Sequence, residues 1–320
     1  MKSKSFAVDK IIFLVLLFIG QEASLYAQTS KLNKWKIKPA NYSGITYIGD
    51  SLYAVVDDKE NRPGFFVWKV TQDVVTGDVM NVESLGFRGL DSLNYRDAEG
   101  IAYVHPTNTL WISGEKDQSI IEHNITDGLP TGRKAKVPSM FSLNNIQHNR
   151  GFEALGYDHV RNVLWTCTES SLRTDTAALI RLQSVTINGD SLSQYLYYMD
   201  APQAKNEGRN HTHGVSSICV EDDGTLLVLE REIRITKRYV GTCCWCKLYR
   251  YSLETGTKQL VDSWKTKINL LNTRFANYEG MCLGQPLADG RQTLLLISDS
   301  QAHAGRLFWH LKDYIKVIIL

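Results

Sequence analysis

The chain has 320 residues, with 36 basic and 34 acidic side chains and a formal net charge of +2. A balance so close to neutral leaves no broad basic footprint and argues against a nucleic-acid partner. The length admits one large or two medium domains, and no low-complexity tract or long charge run divides it.

The N-terminus reads as a targeting segment. Lys2, Lys4 and Lys10 precede the apolar run Ile11 to Gly20, small residues follow, and Ala27-Gln28 is a cleavage junction. Charge, length and order match a secretory signal, although Leu25 stands where a small residue is preferred. The run is too short for a spanning helix, and an uncleaved anchor is the rival reading. The expectation is a signal peptide over 1–27, a single domain over 28–320, a periplasmic or secreted location, and no membrane span after cleavage.

Next, Lys34 to Lys38 alternates and predicts a strand ended by Pro39. A plan then recurs at intervals of roughly 55–65 residues. An acidic residue and a small residue open a short apolar run, a turn follows, and a second run ends on a carboxylate. Asn41 to Tyr47 leads to Ser51 to Asp57, and Arg96 to Tyr103 leads to Thr109 to Glu115. Arg150 to Tyr157 leads to Val163 to Glu169, and His213 to Val220 leads to Thr225 to Glu230. Asn277 to Gly284 leads to Thr293 to Asp299. Further strands are expected at 64–70, 82–87, 119–125, 177–182, 194–198, 246–251, 259–264 and 314–320, with a loop-like remainder after Ile125 to Met140. No segment carries a convincing helical period. Four short strands per unit are the sequence pattern of a β-propeller. Five blades are counted, with six if one unit has diverged. The strand 34–38 is expected to pair with the last unit and close the ring.

In such a ring the innermost strand of each blade starts, and the next strand ends, at one mouth of the channel. Glu99, Glu153 and Glu279 stand at such starts. Asp57, Glu115, Glu169, Glu230 and Asp299 stand at such ends. All eight carboxylates are expected to meet there, and like charges require a counter-charge. Ca²⁺ suits a ring of oxygen ligands. The other source is the nearby basic set Arg96, Arg150, His213, Arg231 and Arg274. A structural Arg–Glu network and a metal or substrate site are both open at this point. Ser43 and Ser216 stand where the other units have glutamate, which breaks a symmetric metal ring.

Other features are weaker. His211 and His213 are expected to point opposite ways, against joint metal binding. Ser300 and His303 resemble a triad only superficially, and no Gly-x-Ser-x-Gly elbow is present. Phe65, Trp68, Trp111 and Trp165 are expected to pack between blades. Cys167, Cys219 and Cys282 fall in strands as buried thiols, whereas Cys243, Cys244 and Cys246 are placed on an exposed loop or strand start.

At Arg96 to Ala102, Gly151 to Leu155, Leu229 to Glu232, Asn277 to Met281 and Leu295 to Ser300 the chain resembles the phytase-like family of secreted bacterial β-propellers, named for an esterase-like activity. The resemblance implies metal-assisted hydrolysis of a small phosphate or carboxylic ester. Ca²⁺ would be held by Glu99, Glu153, Glu279 and Asp299. Glu230 or Glu115 would act as acid or base, and Arg96, Arg150 and Arg231 would hold the oxyanion. A non-catalytic propeller that binds a ligand or protein, and a lactonase, are the other readings.

Overall fold

The computed structural model describes residues 27–91, 94–206, 208–237, 239–269, 273–306 and 309–320. The expected signal segment falls outside them up to residue 26.

Strand β1 (Ala27–Lys31) comes first. Blade I is β2 (Tyr42–Gly49), β3 (Leu52–Asp57), β4 (Gly64–Gln72) and β5 (Val79–Gly89). Blade II is β6 (Ala98–Val104), β7 (Thr109–Gly114), β8 (Ser119–Asn124) and β9 (Pro130–Lys134). Blade III is β10 (Phe152–Asp158), β11 (Val163–Thr168), β12 (Leu179–Thr186) and β13 (Ser191–Tyr198). Blade IV is β14 (Asn210–Val220), β15 (Leu226–Ile235), β16 (Cys243–Tyr251) and β17 (Lys258–Ile268), extended by the short β18 (Thr273–Arg274). Blade V is built from both ends of the chain. Within it, β19 (Asn277–Leu283), β20 (Thr293–Asp299) and β23 (Tyr314–Ile319) are joined at the outer edge by β1, while β21 (Gly305–Arg306) and β22 (Trp309–His310) form a hairpin in the connection. All blade pairings are antiparallel. The inner strands β2, β6, β10, β14 and β19 contact one another in sequence, and β19 returns to β2. The molecule is a five-bladed β-propeller.

Five apolar clusters fill the blade interfaces, one for each neighbouring pair. Trp68, Trp111 and Trp165 are fully buried in three of them, as packing residues. Such burial, roughly 25 cal/mol per Å² of apolar surface, holds adjacent blades face to face. Outer strands such as β13 and β17 alternate toward solvent instead.

The ring is closed, but not by residues 34–38. Leu32–Trp35 forms a 3-10 turn, Lys36 takes φ 63°, and the closing strand lies upstream, where Ala27 pairs with Ile318 and Lys31 with Tyr314. The alternation at 34–38 reflects a segment that wraps the edge of blade I, where the Trp35 indole N–H donates to the Met80 carbonyl. Pro130–Lys134, expected as loop, is the edge strand β9; its side chains are mostly exposed and its pairing to β8 carries no apolar signature. Cys243, Cys244 and Cys246 are buried on β16 rather than exposed, and all six cysteines are free thiols.

One irregularity recurs in every blade. The pairing of the two innermost strands shifts register at Ser43, at Glu99-Gly100, at Glu153, at Ser216 and at Glu279. Each is a β-bulge, which inserts a residue, bends the strand and re-aims a side chain. The repeating glutamate or serine of the sequence is that bulged residue. The residue after it must be small, because the inner strands nearly touch there. A Cβ on Gly44 would collide with the Glu99 carbonyl oxygen, and one on Gly100 would sit 2.6 Å from the Leu155 nitrogen.

Candidate functional site

A cavity of about 830 Å³ opens at the mouth of the channel. Two tiers of side chains supply its charged lining. The first tier is the bulge position: Glu99, Glu153 and Glu279 line the cavity, from blades II, III and V. The second tier comes from the neighbouring strand, at the place opposite the residue two before the bulge. Asn41 and Asp58, Asp97 and Glu115, Gly151 and Glu169, Gly214 and Arg231, and Asn277 and Asp299 occupy equivalent pairs there. Asp58, Glu115, Glu169, Arg231 and Asp299 all line the cavity. Four blades thus present a carboxylate at this tier, and blade IV presents a guanidinium.

Two expected members of the ring are absent from it for one reason. Asp57 and Glu230 each lie one residue short of the lining position, and in a strand a one-residue step turns the side chain to the other face. Asp57 instead accepts from the backbone N–H groups of Asn41 and Lys59. Glu230 is buried between blades III and IV, where it accepts from the Tyr197 hydroxyl at 2.7 Å and pairs with Lys258 at 2.5 Å. Arg96 is likewise turned away. It pairs with Asp117 and donates to Ser119 within blade II.

The cavity holds seven carboxylates (Asp58, Glu99, Glu115, Glu153, Glu169, Glu279 and Asp299) against three cations among the described residues. Each cation is already engaged. Arg231 reaches Glu169 and Glu279 at 2.5 Å and Glu153 at 3.4 Å, and also donates to the Asn277 side chain. Arg150 pairs with Glu169 at 2.7 Å and donates to Thr212. Lys59 pairs with Asp58 and with Asp97. Glu99 differs from the rest. It is 7% exposed, faces the cavity, and has no hydrogen-bond or ion-pair partner among the described residues. Asp58 Oδ1 is buried and unpartnered as well. The carboxylates of Asp58, Asp97 and Glu99 lie within 4.8 Å of one another.

This surplus sets the proton affinities. Burial, followed by the charge of Glu153, pushes Glu99 well above the usual carboxylate range, and burial with Glu169 does the same to Glu153. Burial and then Asp299 push Glu279 up to about 8, against the opposing pull of Arg231. Burial pushes Asp299 and Asp58 up to about 7 and Glu115 up to about 6. The Glu115 carboxylate accepts the Gly151 N–H at 2.7 Å, which fixes its position.

The residues set aside in the sequence also have defined places. His211 and His213 share one face, because residues two apart in a strand do so. His211 pairs with Glu232 at 2.8 Å, while the intervening Thr212 faces the cavity. The Ser300 hydroxyl donates to the Ala40 carbonyl and accepts from the His303 backbone N–H, so the His303 imidazole is not its partner. Asp58 and Lys59 join the site without a signal in the sequence, since the aspartate pair 57–58 leaves the lining position ambiguous by one residue.

A family model described as Phytase-like, esterase-like activity of phytase, matches residues 39–301. No curated protein matches the chain. Among solved structures, the endo-arabinase from Bacteroides thetaiotaomicron is 12% identical, with 91% of this chain and 96% of that one covered at a TM-score of 0.52. A protein of unknown function from the same organism is 9% identical, with coverages of 92% and 76% and a TM-score of 0.41. The PQQ-bound aldose sugar dehydrogenase from Streptomyces coelicolor is 12% identical, with coverages of 92% and 99% and a TM-score of 0.44. At 12% identity the likeness to the endo-arabinase is one of fold.

Proposed function

The chain belongs to the phytase-like family, and on that premise we propose that it is an exported hydrolase that cleaves an ester at the channel mouth with the help of a divalent cation, Ca²⁺ in the first instance. The observation that supports this most is Glu99, a buried and unpartnered carboxylate in a cavity whose cations are all spoken for. An acidic cluster alone would be weak support, but a side chain held in this way wants a positive ligand.

The donor set is entirely oxygen, which suits a hard cation. Glu99 and Asp58, with Asp97 within 4.8 Å of both, would hold the ion; Glu153 and Glu279 face the same space but share Arg231. When bound, the ion supplies Lewis-acid polarisation of the ester oxygen. Glu115 serves as general base, because a carboxylate with a proton affinity near 6 is ionised at neutral pH yet basic enough to accept a proton. It takes a proton from the attacking water as the water oxygen bonds to the ester carbon. It returns that proton to the departing alkoxide as the ester C–O bond breaks, leaving an acid and an alcohol. Arg150 is engaged by Glu169 and Thr212, so it acts as a counter-charge and donates nothing to the oxyanion. Arg231 is buried among three glutamates and acts as their counter-charge. Glu230 and Arg96 have no part in this scheme.

The test is calorimetric titration of Ca²⁺ into metal-stripped protein, beside Glu99→Gln, followed by turnover of p-nitrophenyl esters with and without metal. Binding that weakens tenfold or more in the variant, with metal-dependent turnover, supports the reading. Binding without turnover of any ester would make this a ligand-binding propeller. No binding would leave the arginines as the sole counter-charge.

A further inference from the structure

The carboxylates of the cavity come from blades I, II, III and V. Blade IV supplies no carboxylate to it. Its strands β14 and β15 run on past the lining position, with Thr212 opposite Ile233 and Asn210 opposite Ile235. Strand alternation turns Ile233 and Ile235 to the cavity and Arg234 away, onto the Asn206 side chain. Ile268 and Phe275 continue this surface from the end of blade IV, and Leu311 reaches it from beyond the β21–β22 hairpin. Tyr239 stands at the lip, 49% exposed. An apolar wall therefore faces the carboxylate floor across one space.

Resting on the hydrolase reading above, we propose that the substrate is a neutral carboxylic ester whose acyl chain or aryl group lies along this blade IV wall, and that multiply phosphorylated esters are excluded. The wall accounts for the first half. Each methylene moved from water onto it strengthens binding roughly three- to fourfold. The floor accounts for the second half. A phosphate group needs free guanidinium or ammonium donors, and Lys59, Arg150 and Arg231 are each already paired with carboxylates. A polyanion would enter a space in which fixed negative charge outnumbers positive. A neutral ester meets no such barrier.

The experiment compares p-nitrophenyl acetate, butyrate and hexanoate with p-nitrophenyl phosphate and inositol hexakisphosphate, in excess Ca²⁺. The enzyme is used as wild type, Ile233→Asp and Tyr239→Ser; the second variant alters a half-exposed lip residue whose hydroxyl accepts from Arg209. Expected is a rise in kcat/KM of tenfold or more from acetate to hexanoate and no turnover of the hexakisphosphate. Both variants should flatten the rise through KM, with hexanoate losing most and acetate least. Rates independent of chain length, or preference for either phosphate, overturn the proposal while sparing the hydrolase reading. If no ester is turned over, the hydrolase reading fails, and binding of the inert p-nitrophenyl hexyl ether against p-nitroanisole decides the wall. Tighter binding of the hexyl compound that is lost in Ile233→Asp supports it, and equal binding overturns it.

Discussion

Arg231 occupies in blade IV the ring position that Glu169 occupies in blade III, and the two side chains meet in a buried ion pair. One substitution of sign in an otherwise acidic tier lets the ring close around its own charge. Replacing Arg231 by Leu leaves Glu153, Glu169 and Glu279 facing one another without it. Breaking a buried pair from one side costs about 3–5 kcal/mol. The urea midpoint of Arg231→Leu at pH 8 should fall accordingly, and the deficit should shrink at pH 5, where Glu153 and Glu279 hold protons. An equal deficit at both pH values would mean that packing, not charge, is what the arginine supplies.

The raised carboxylates make a pH prediction of definite sign. Glu279, Asp299, Asp58 and Glu115 hold protons in the folded chain up to about 8, 7, 7 and 6, each above its unfolded value. Between pH 4 and pH 8 the native state therefore binds more protons than the unfolded state, and stability falls as pH rises. A tenfold difference in proton affinity between the two states corresponds to about 1.4 kcal/mol per group, so the decline across this window should amount to several kcal/mol in chelator. Ca²⁺ should flatten it by replacing the protons. Denaturation midpoints from pH 4.5 to 8.5, with and without metal, measure both effects. A profile that rises with pH would contradict the assignment.

Glu99 should show a trade between stability and ligand. Its neutral isostere Glu99→Gln removes one buried like charge. The metal-free protein should gain about 1 kcal/mol at pH 8 while the apparent Kd for Ca²⁺ rises at least tenfold. Equilibrium unfolding and calorimetry on the same preparations separate the two. A variant that is less stable without metal would show that Glu99 has a structural partner instead.

The bulge requires its glycine. In Gly100→Ala the new methyl meets the Leu155 backbone at 2.6 Å, in a place where two inner strands cannot part without opening the ring. Overpacking of this kind costs about 1–3 kcal/mol. Thermal melting of Gly100→Ala should show a lowered Tm and weaker Ca²⁺ binding together, because the same bulge aims Glu99. Gly132→Ala, where a Cβ meets nothing within 4 Å and only the positive φ resists, should be the milder change.

Much of the architecture is legible in the sequence. The repeat of acidic residue and glycine before an apolar run sets the blade period, and Glu99, Glu153 and Glu279 stand at the channel mouth. What escapes is a matter of one residue. Asp57 for Asp58 and Glu230 for the neighbouring Arg231 are adjacent choices that hydrophobic patterning cannot separate. The bulges that fix the face exist only as a mismatch between two strands. The long hairpin of blade IV escapes for a related reason. Ile233 and Ile235 continue the strand alternation past the point where other blades turn, and nothing in a single strand says which side faces a cavity. Residues 34–38 draw the expectation of a closing strand because they alternate, whereas Ala27–Lys31 has little apolar character and joins the sheet as an edge.

The pairing of Ala27 with Ile318 and of Lys31 with Tyr314 has a temporal meaning. Blade V cannot be assembled until the last strand of the chain is available, and long-range β pairing of this kind is slow. The two tiers of the cavity draw on all five blades, and blade V presents its share on the paired strands β19 and β20. The strand Tyr314–Ile319 supplies no residue to the cavity lining, yet it alone joins β1 to β20 and so ties the two distant parts of blade V together.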